Sequence, residues 1–587
     1  MHAPPRAYRA PNQPKDFKHV PVNNPPAPLR PAHPHGATLA QLADLVGAPH
    51  PALNGGEDSL RVTGASLDSR TIQRGDLYLA LPGAKAHGAQ FAGPAIAAGA
   101  VAVLTDDAGS RLLGAAYSVP VLTVADARAV TGAVAAAIYG GAGTAALELF
   151  AVTGTNGKTT TTYFLNSLLQ ALGKTTGLIG TIEILAGGEA IPSKLTTPES
   201  TDVHGLLALM AEKGLAAASM EVSSHALAFG RVDAVEFNVA GFTNLTQDHL
   251  DLHGGMEGYF TTKAALFTPA HTKAAVITVD DEWGSRMAAA ATVPTTTLST
   301  SAATETADGP DTTSGPAADW QVHNVRRDGI GSAFTLRGPN NAALHARTGL
   351  PGDFNVANAA LALLMVTTAL LAQAGQGDSA VGGVEEGREK AVLARLQAVL
   401  DTHDPFTIEV PGRMQLVGTA PVAVVDFAHN PDALERALNA VRPVEAGARL
   451  IAVFGATGER DATKRPIMGA VVARGADVVI ITDDDPHDED PAAIRADVLA
   501  GARETNEKES LGRVVEEFGQ RADAIARAVE LAGPADVILV AGRGHEVFQE
   551  VKGINISLDD RVELRAALAA RGFPLTNAST IESSTDD

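Results

Sequence analysis

The chain has 587 residues, 45% hydrophobic and 19% charged, too long for one core and enough for three or four domains of ~150 residues. With no cysteine it forms no disulfide and offers no thiolate ligand or thiol nucleophile, which fits a reducing compartment and leaves any metal to oxygen or imidazole. A net charge of -22 argues against a general nucleic-acid binder, because attraction to phosphate needs a basic face.

The first 36 residues, through "PAHPHG", are dense in proline and contain no apolar stretch of the kind a secretory signal carries, so a disordered arm is expected. From Thr38, "TLAQLADLVG" has helical spacing, "LRVTGASLDSRTIQRGDLYLALPG" alternates like strands around a turn at Gly75-Asp76, and "FAGPAIAAGAVAVLT" reads as a helix running into a strand. Together they predict a small α/β module over 37–146. From Leu147 to Val410, apolar runs such as "AAASMEV", "FNVAGFTNL" and "KAAVITV" alternate with helical segments, the pattern of a parallel sheet covered by helices. The biased stretches "STSAATETADGPDTTSGPAADW" and "AQAGQGDSAVGGVEEGREK" are expected to be surface loops. Over 411–575 four apolar strands, in "PVAVVDFAHNP", "RLIAVFGATGERD", "DVVIITDDDPHDED" and "DVILVAGRGHEVF", each end in a polar or glycine-rich loop, where open α/β sheets bind ligands. Residues 576–587 form an acidic tail, expected to be disordered. No run approaches the ~18–20 uninterrupted apolar residues of a membrane span. The predicted fold class is therefore α/β in three domains, a central P-loop parallel sheet and a C-terminal Rossmann-like sheet among them.

The strongest local signal is "LFAVTGTNGKTTTTYFLNSLLQALG". An apolar strand leads into Gly154, Thr155, Asn156, Gly157, Lys158, Thr159 and Thr160, and then into an amphipathic helix. Glycines let backbone N–H groups curl around an anion at a helix N-terminus; Lys158 neutralises the outer phosphates, and the hydroxyl of Thr159 or Thr160 suits Mg²⁺. The spacing GxxGK[ST] is shorter than the usual GxxxxGK[ST], so a phosphate loop alone leaves motor, switch, kinase and ligase open. Glu221 at the end of "AAASMEV", with His249 and Lys263 in "TNLTQDHLDLHGGMEGYFTTKAALF", adds carboxylate, imidazole and amine. Taken singly, each of these is more often structural than catalytic.

In the order "TGTNGKTTT", "MEVSSHAL", "FTNLTQDHLDLHG", "LPGDFNVANAALAL", "VPGRMQLV", "DFAHNPDAL", "FGATGERDATKRPIMG" and "AGRGHEVFQ", the chain resembles the Mur ligases from about Thr38 to Gly572, most of all the branch that adds the third peptide residue. The resemblance implies a cytoplasmic ATP-dependent ligase of peptidoglycan synthesis, expected to be a monomer. Such an enzyme phosphorylates a carboxylate of UDP-N-acetylmuramoyl dipeptide and lets an amine displace the phosphate. It implies Gly154 to Thr160 on the ATP phosphates, Mg²⁺ near Thr159, Thr160, Glu221 and His249, and a carbamylated lysine at Lys263. Asn355, Asn358, Arg413, Asp426 and His429 match nucleotide positions, some reaching across from the third domain. Phe427, Asn430 and Thr278 depart from the residues usual there, Tyr, Thr and Asn. Leu67, Ser69 and Ala84, Lys85 and Ala86 match the uridine diphosphate pocket; Thr196, Thr197, Ser223 and Arg231 match the muramyl dipeptide positions. Arg460, Gly542 and Glu546 match positions that hold the α-carboxylate and amine end of the incoming amino acid.

Members that use meso-diaminopimelate carry Asp-Asn-Pro-Arg, whose arginine takes the distal carboxylate. Here the matching residues are Asp484, Asp485, Pro486 and His487. A lost guanidinium and a gained carboxylate favour L-lysine, or L-ornithine, over meso-diaminopimelate. A folylpolyglutamate-type ligase and a P-loop switch are the alternatives.

Overall fold

The computed structural model describes residues 30–50, 60–114, 118–187, 189–193, 195–248, 250–303, 317–375 and 382–576. Two compact units emerge, Ala37–Ala127 and a larger one from Arg128 onward that also takes in residues 30–36. The first unit is shorter than the expected 37–146 module. The helix Thr131–Tyr139 packs on Ser200–Glu212 instead, and the backbone N–H of Gly36 donates to the carbonyl of Ile138 at 2.7 Å. Residues 30–36, expected as part of a disordered arm, are ordered: the Ala32 and His33 N–H groups each reach the Glu212 carboxylate at 2.7 Å. Residues 1–29 lie outside the described residues, as do 577–587 of the expected tail; Thr576 is tied by its N–H to the Val417 carbonyl at 3.1 Å.

In the first unit four parallel strands, Gly64–Ser66, Asp76–Ala80, Ala102–Asp106 and Val121–Val124, lie side by side in chain order. The helix Leu39–Val46 starts on a reciprocal cap, Thr38 and Gln41 each bonding the other's backbone. Gly64–Ser66 and Asp76–Ala80 run parallel rather than as a hairpin, so the segment between them crosses over and the turn at Gly75 only feeds the second strand.

Among its described residues the larger unit holds two large sheets and a two-stranded antiparallel one, Phe548–Val551 with Ile554–Ser557. The first has eleven strands, of which seven are parallel: Thr176–Ile179, Ala217–Glu221, Glu148–Thr153, Val239–Phe242, Ala275–Thr278, Thr295–Ala303 and Trp320–Asp328, in that spatial order. Antiparallel strands flank them, Glu183–Ala186 and Glu189–Pro192 at one edge, Gly331–Arg337 and Ala343–Thr348 at the other, so the sheet is mixed. Its most apolar strands are buried on both faces. One face packs on Lys158–Ala171 and Asp353–Gly375, the other on Ser200–Glu212 and its neighbours. Asp353–Gly375 is long and apolar enough to cross a membrane, yet 78% of its most apolar window is buried in this core. Of the two biased stretches expected to be loops, the first begins inside the strand Thr295–Ala303 and its centre, 304–316, lies outside the described residues. The second supplies the end of Asp353–Gly375 and the start of the helix Gly382–His403, with 376–381 outside the described residues.

The second sheet orders Gln415–Thr419, Val422–Asp426, Val537–Ala541, Leu450–Phe454, Val478–Ile481 and Val514–Glu517. All but the first strand are parallel, and helices cover both faces. The carboxyl ends of these strands and the loops that follow them carry Asp426, Asp484 and Gly542.

Candidate active site

The strand Glu148–Thr153 ends buried, and the chain turns through Gly154 (φ 146°) and Gly157 (φ 90°) into the helix Lys158–Ala171. At both glycines the left-handed backbone and close neighbours exclude a side chain: a Cβ would stand 1.9 Å from Thr243 Oγ1 at the first and 2.4 Å from Asn358 Oδ1 at the second. Thr243 Oγ1 donates to the Asn156 carbonyl at 2.7 Å, and Asn244 Oδ1 accepts the Asn156 N–H at 3.0 Å. The loop is thus fixed from the neighbouring strand. Lys158 Nζ folds back on the carbonyls of Gly154, 3.1 Å, and Thr155, 2.9 Å, with burial pulling its pKa below the ordinary amine value.

Behind the loop, the carboxylate of Glu221, 1% exposed, accepts the Thr159 hydroxyl at 2.9 Å and the Thr181 N–H at 2.8 Å. Two hard oxygens side by side, one anionic, fit Mg²⁺. Thr160 is buried on the same helix turn, and His249 lies outside the described residues. Lys263 is buried at 1% exposure, donates to the Gly154 carbonyl at 2.9 Å and faces the Tyr259 ring at 4.7 Å. Burial first, then the Lys158 charge, lower its pKa well below that of a free lysine.

A cavity of about 210 Å³ opens in front of the loop. Thr155, Asn156, Gly157, Thr159 and Thr160 line it from the first sheet, Asn355 and Asn358 from the helix Asp353–Gly375, and Arg413, Asp426 and His429 from the second sheet. Asn358 Nδ2 donates to Asn355 Oδ1 at 3.1 Å, and Asn355 Nδ2 to the Pro351 carbonyl at 2.8 Å, which fixes both amides. Arg413 Nη2 reaches Thr159 Oγ1 at 3.3 Å. Asp426 Oδ2 accepts the Met414 N–H at 2.7 Å, while burial raises its pKa and lowers that of His429. The loop is also tied across the cavity, Asn156 Nδ2 donating to Asp432 Oδ2 at 2.9 Å and Asn430 Nδ2 to Asn156 Oδ1 at 3.3 Å. Asn430 meanwhile caps the helix Pro431–Ala440 through the Ala433 N–H at 2.9 Å, a task a shorter hydroxyl also performs. Thr278, Asp280 and Thr300 close the far end.

Beside Glu221, Thr197 Oγ1 donates to the Glu221 carbonyl at 2.8 Å and Thr196 Oγ1 accepts from Thr181 Oγ1 at 3.1 Å. Ser223 caps its own short helix through the Ala226 N–H at 3.2 Å. Arg231 is held by Glu199 Oε1 at 3.0 Å and by the Thr197 carbonyl at 3.2 Å, and Glu199 also pairs with Arg128 at 3.0 Å. In the first unit, Leu67 and Ser69 are half-buried while Ala84 and Lys85 are exposed; Gly83 and Ala86 close that turn by an N–H to carbonyl bond of 3.1 Å.

The amino-acid candidates gather at the second sheet. One oxygen from each of Asp484, Asp485 and Glu546 lies within 4.8 Å of the others. Arg543, fully buried, sits among them: Nη1 bonds Asp485 and stands 3.9 Å from Asp484 and 3.8 Å from Glu546. Asp484 is 4% exposed, and its Oδ2 has no hydrogen-bond partner among the described residues. Burial, then the Asp484 and Asp485 charges, push the Glu546 carboxyl up to about 8. Pro486 carries the chain past Gly458, and His487 (φ 51°) turns its Nδ1 to Glu550 Oε2 at 3.1 Å. Arg460 is exposed on the loop after Leu450–Phe454. Sequence reasoning missed Thr181, Asp432 and Arg543. Arg543 stands inside the "GRGHE" motif, and a charged residue between two glycines after a buried strand was the signal available.

Residues 61–139 match the Mur ligase family, catalytic domain, 152–366 the Mur ligase middle domain, and 412–544 the Mur ligase, glutamate ligase domain. A Streptomyces coelicolor protein named UDP-N-acetylmuramoyl-L-alanyl-D-glutamate--2,6-diaminopimelate ligase is 44% identical over 547 residues, 92% of this chain and 98% of its own length. A Leifsonia xyli protein named UDP-N-acetylmuramyl-tripeptide synthetase is 44% identical over 550 residues, 93% of this chain and 99% of its own. A solved UDP-N-acetylmuramoyl-L-alanyl-D-glutamate--2,6-diaminopimelate ligase superposes with a TM-score of 0.56 at 30% identity, covering 89% of this chain and 97% of that one. With near full-length matches and a cavity facing a glycine-lysine-threonine loop, the chain belongs to the Mur ligase family and is an ATP-dependent, ADP-forming amide ligase.

Proposed function

We propose that this cytoplasmic ligase adds a diamino acid, L-lysine in preference to meso-diaminopimelate, as the third peptide residue on UDP-N-acetylmuramoyl-L-alanyl-D-glutamate in peptidoglycan synthesis. The observation that carries the amino-acid choice is the carboxylate cluster of Asp484, Asp485 and Glu546, with His487 turned to Glu550 where an arginine would take a distal carboxylate. One buried guanidinium, Arg543, offsets part of the charge of Asp484 and Asp485, and what remains favours a distal ammonium.

In the reaction, a dipeptide carboxylate oxygen attacks the γ-phosphorus, the bond to the β–γ bridging oxygen breaks and ADP leaves. The neutral amine then forms the C–N bond to the acyl phosphate, releasing inorganic phosphate and, in the end, one proton. The loop N–H groups and Lys158 hold the phosphates and Arg413 approaches from the opposite wall, offsetting the charge of two anions brought together. Thr159 and Glu221 would hold Mg²⁺, which supplies charge neutralisation at the phosphates when bound. Thr160 and His249 belong to the same proposed ligand set, and Thr196, Thr197, Ser223 and Arg231 to the dipeptide site. Leu67, Ser69 and the loop Ala84 to Ala86 are proposed for the uridine diphosphate. Burial lowers the Lys263 pKa and so favours the neutral amine, the form that takes up CO₂, and the resulting carbamate would present a carboxylate toward the loop.

Phosphate release tests the whole reading. It should require both UDP-muramoyl dipeptide and an amino acid; release without either marks a switch. With L-lysine, L-ornithine and meso-diaminopimelate side by side, L-lysine should give the highest kcat/KM. The names of the Streptomyces coelicolor relative and the solved ligase favour a second reading, meso-diaminopimelate. A clear preference for it would overturn the first. Loss of ligation in Lys263→Ala, restored by a short carboxylic acid, supports the carbamate.

A further inference from the structure

We propose that Phe427 is a positioning residue for the nucleotide: its ring holds the Arg413 guanidinium in the line that reaches the phosphate loop. The inference rests on reading the cavity as the ATP site. Arg413 Cζ stands 4.1 Å from the Phe427 ring centroid, and the far edge of the same guanidinium donates to Thr159 Oγ1 at 3.3 Å. A guanidinium withdrawn from water needs its edges bonded and its flat face covered, and an aromatic face does the second through its quadrupole. Arg413 has a long, rotatable stem, so the backbone alone does not aim it.

The ring is itself fixed from behind. His429 stands 4.7 Å away, centroid to centroid, at 68°, and His545 5.3 Å away at 45°. Gly544 leaves the space the ring occupies, since a Cβ there would come within 2.8 Å of Phe427 Cβ. His545, which the ring touches, adjoins Glu546 of the amino-acid cluster. No hydroxyl is needed for this task; the flat face performs it.

ADP binding by titration calorimetry on the full chain tests the assignment, with steady-state KM values for ATP and UDP-muramoyl dipeptide beside it. Phe427→Leu keeps bulk and removes the aromatic face, and should weaken ADP and raise the ATP KM by about tenfold, with the dipeptide KM within about twofold of wild type. Phe427→Tyr should restore both nucleotide values. If the ring acts through the guanidinium, Phe427→Leu adds no further loss to Arg413→Ala. Phe427→Met repeats the test should the leucine variant lose its thermal transition. An undiminished tenfold loss in the Arg413→Ala background overturns the inference, as does wild-type ADP affinity in Phe427→Leu when Arg413→Ala has lost it. A wild-type chain that binds no ADP, or an Arg413→Ala chain that binds it normally, overturns the reading beneath as well.

Discussion

Raising the pH should improve the fit of the amine substrate, and Glu546 sets how much. Burial and the neighbouring Asp484 and Asp485 hold its carboxyl protonated up to about 8, with Arg543 and Arg413 pulling the other way. At pH 7 about one molecule in ten then carries the charged carboxylate, and at pH 9 about nine in ten do. If the substrate ammonium is met by the charged form, its KM should fall by up to about ninefold between those pH values, most steeply near 8. The ammonium of a free lysine side chain, near 10.4, stays charged through most of that window. Phosphate release measured at saturating ATP and UDP-muramoyl dipeptide, with L-lysine varied at half-unit steps from pH 6.5 to 9, gives the profile. Because the attacking amine also gains nucleophilicity with pH, the informative quantity is the KM ratio of wild type to Glu546→Gln at each step. That ratio should change across pH 8 and level off on both sides. A ratio constant from pH 7 to 9 would refute the argument that this carboxyl titrates in contact with the amine.

Gly157→Ala, by pushing a methyl 2.4 Å from Asn358 Oδ1 at a left-handed residue, should lower ATP turnover by at least about a hundredfold, while circular dichroism shows the fold intact. Lys158→Ala should abolish phosphate release without lowering the thermal midpoint, because a cation buried below its ordinary pKa does not support the fold. Arg521 and Asp560 form a fully buried bidentate pair at 2.7 and 2.8 Å; Arg521→Ala leaves an unpaired carboxylate and should cost about 3–5 kcal/mol in denaturant unfolding of the C-terminal sheet, while Arg521→Met together with Asp560→Leu should cost much less.

What was legible in the sequence was local. The phosphate loop could be read because two glycines, a lysine and hydroxyl residues act within one turn, and the four strands after Pro411 because each is a short apolar run that ends in polar residues. The extent of the first module was not legible. Residues 131–139 are apolar on nearly every side, so their pattern does not say which core they join, and only the packing on Ser200–Glu212 decides it. One antiparallel edge of the central sheet was hidden because Trp320–Asp328, the strand its first antiparallel member pairs with, begins at the end of a biased stretch. Arg543 was missed for another reason. Its partners Asp484 and Asp485 lie 59 and 58 residues away in sequence, and strand order alone brings the two loops together.

Three hydrogen bonds join the phosphate loop and its helix to the second sheet: Asn156 to Asp432, Asn430 to Asn156, and Arg413 to Thr159. Every group in them is one that water satisfies nearly as well, so parting the two walls costs little net free energy per bond. The same joint also holds Phe354, from the long helix of the first sheet, against the apolar core of the second, so the two walls are held by packing as well as by these three bonds.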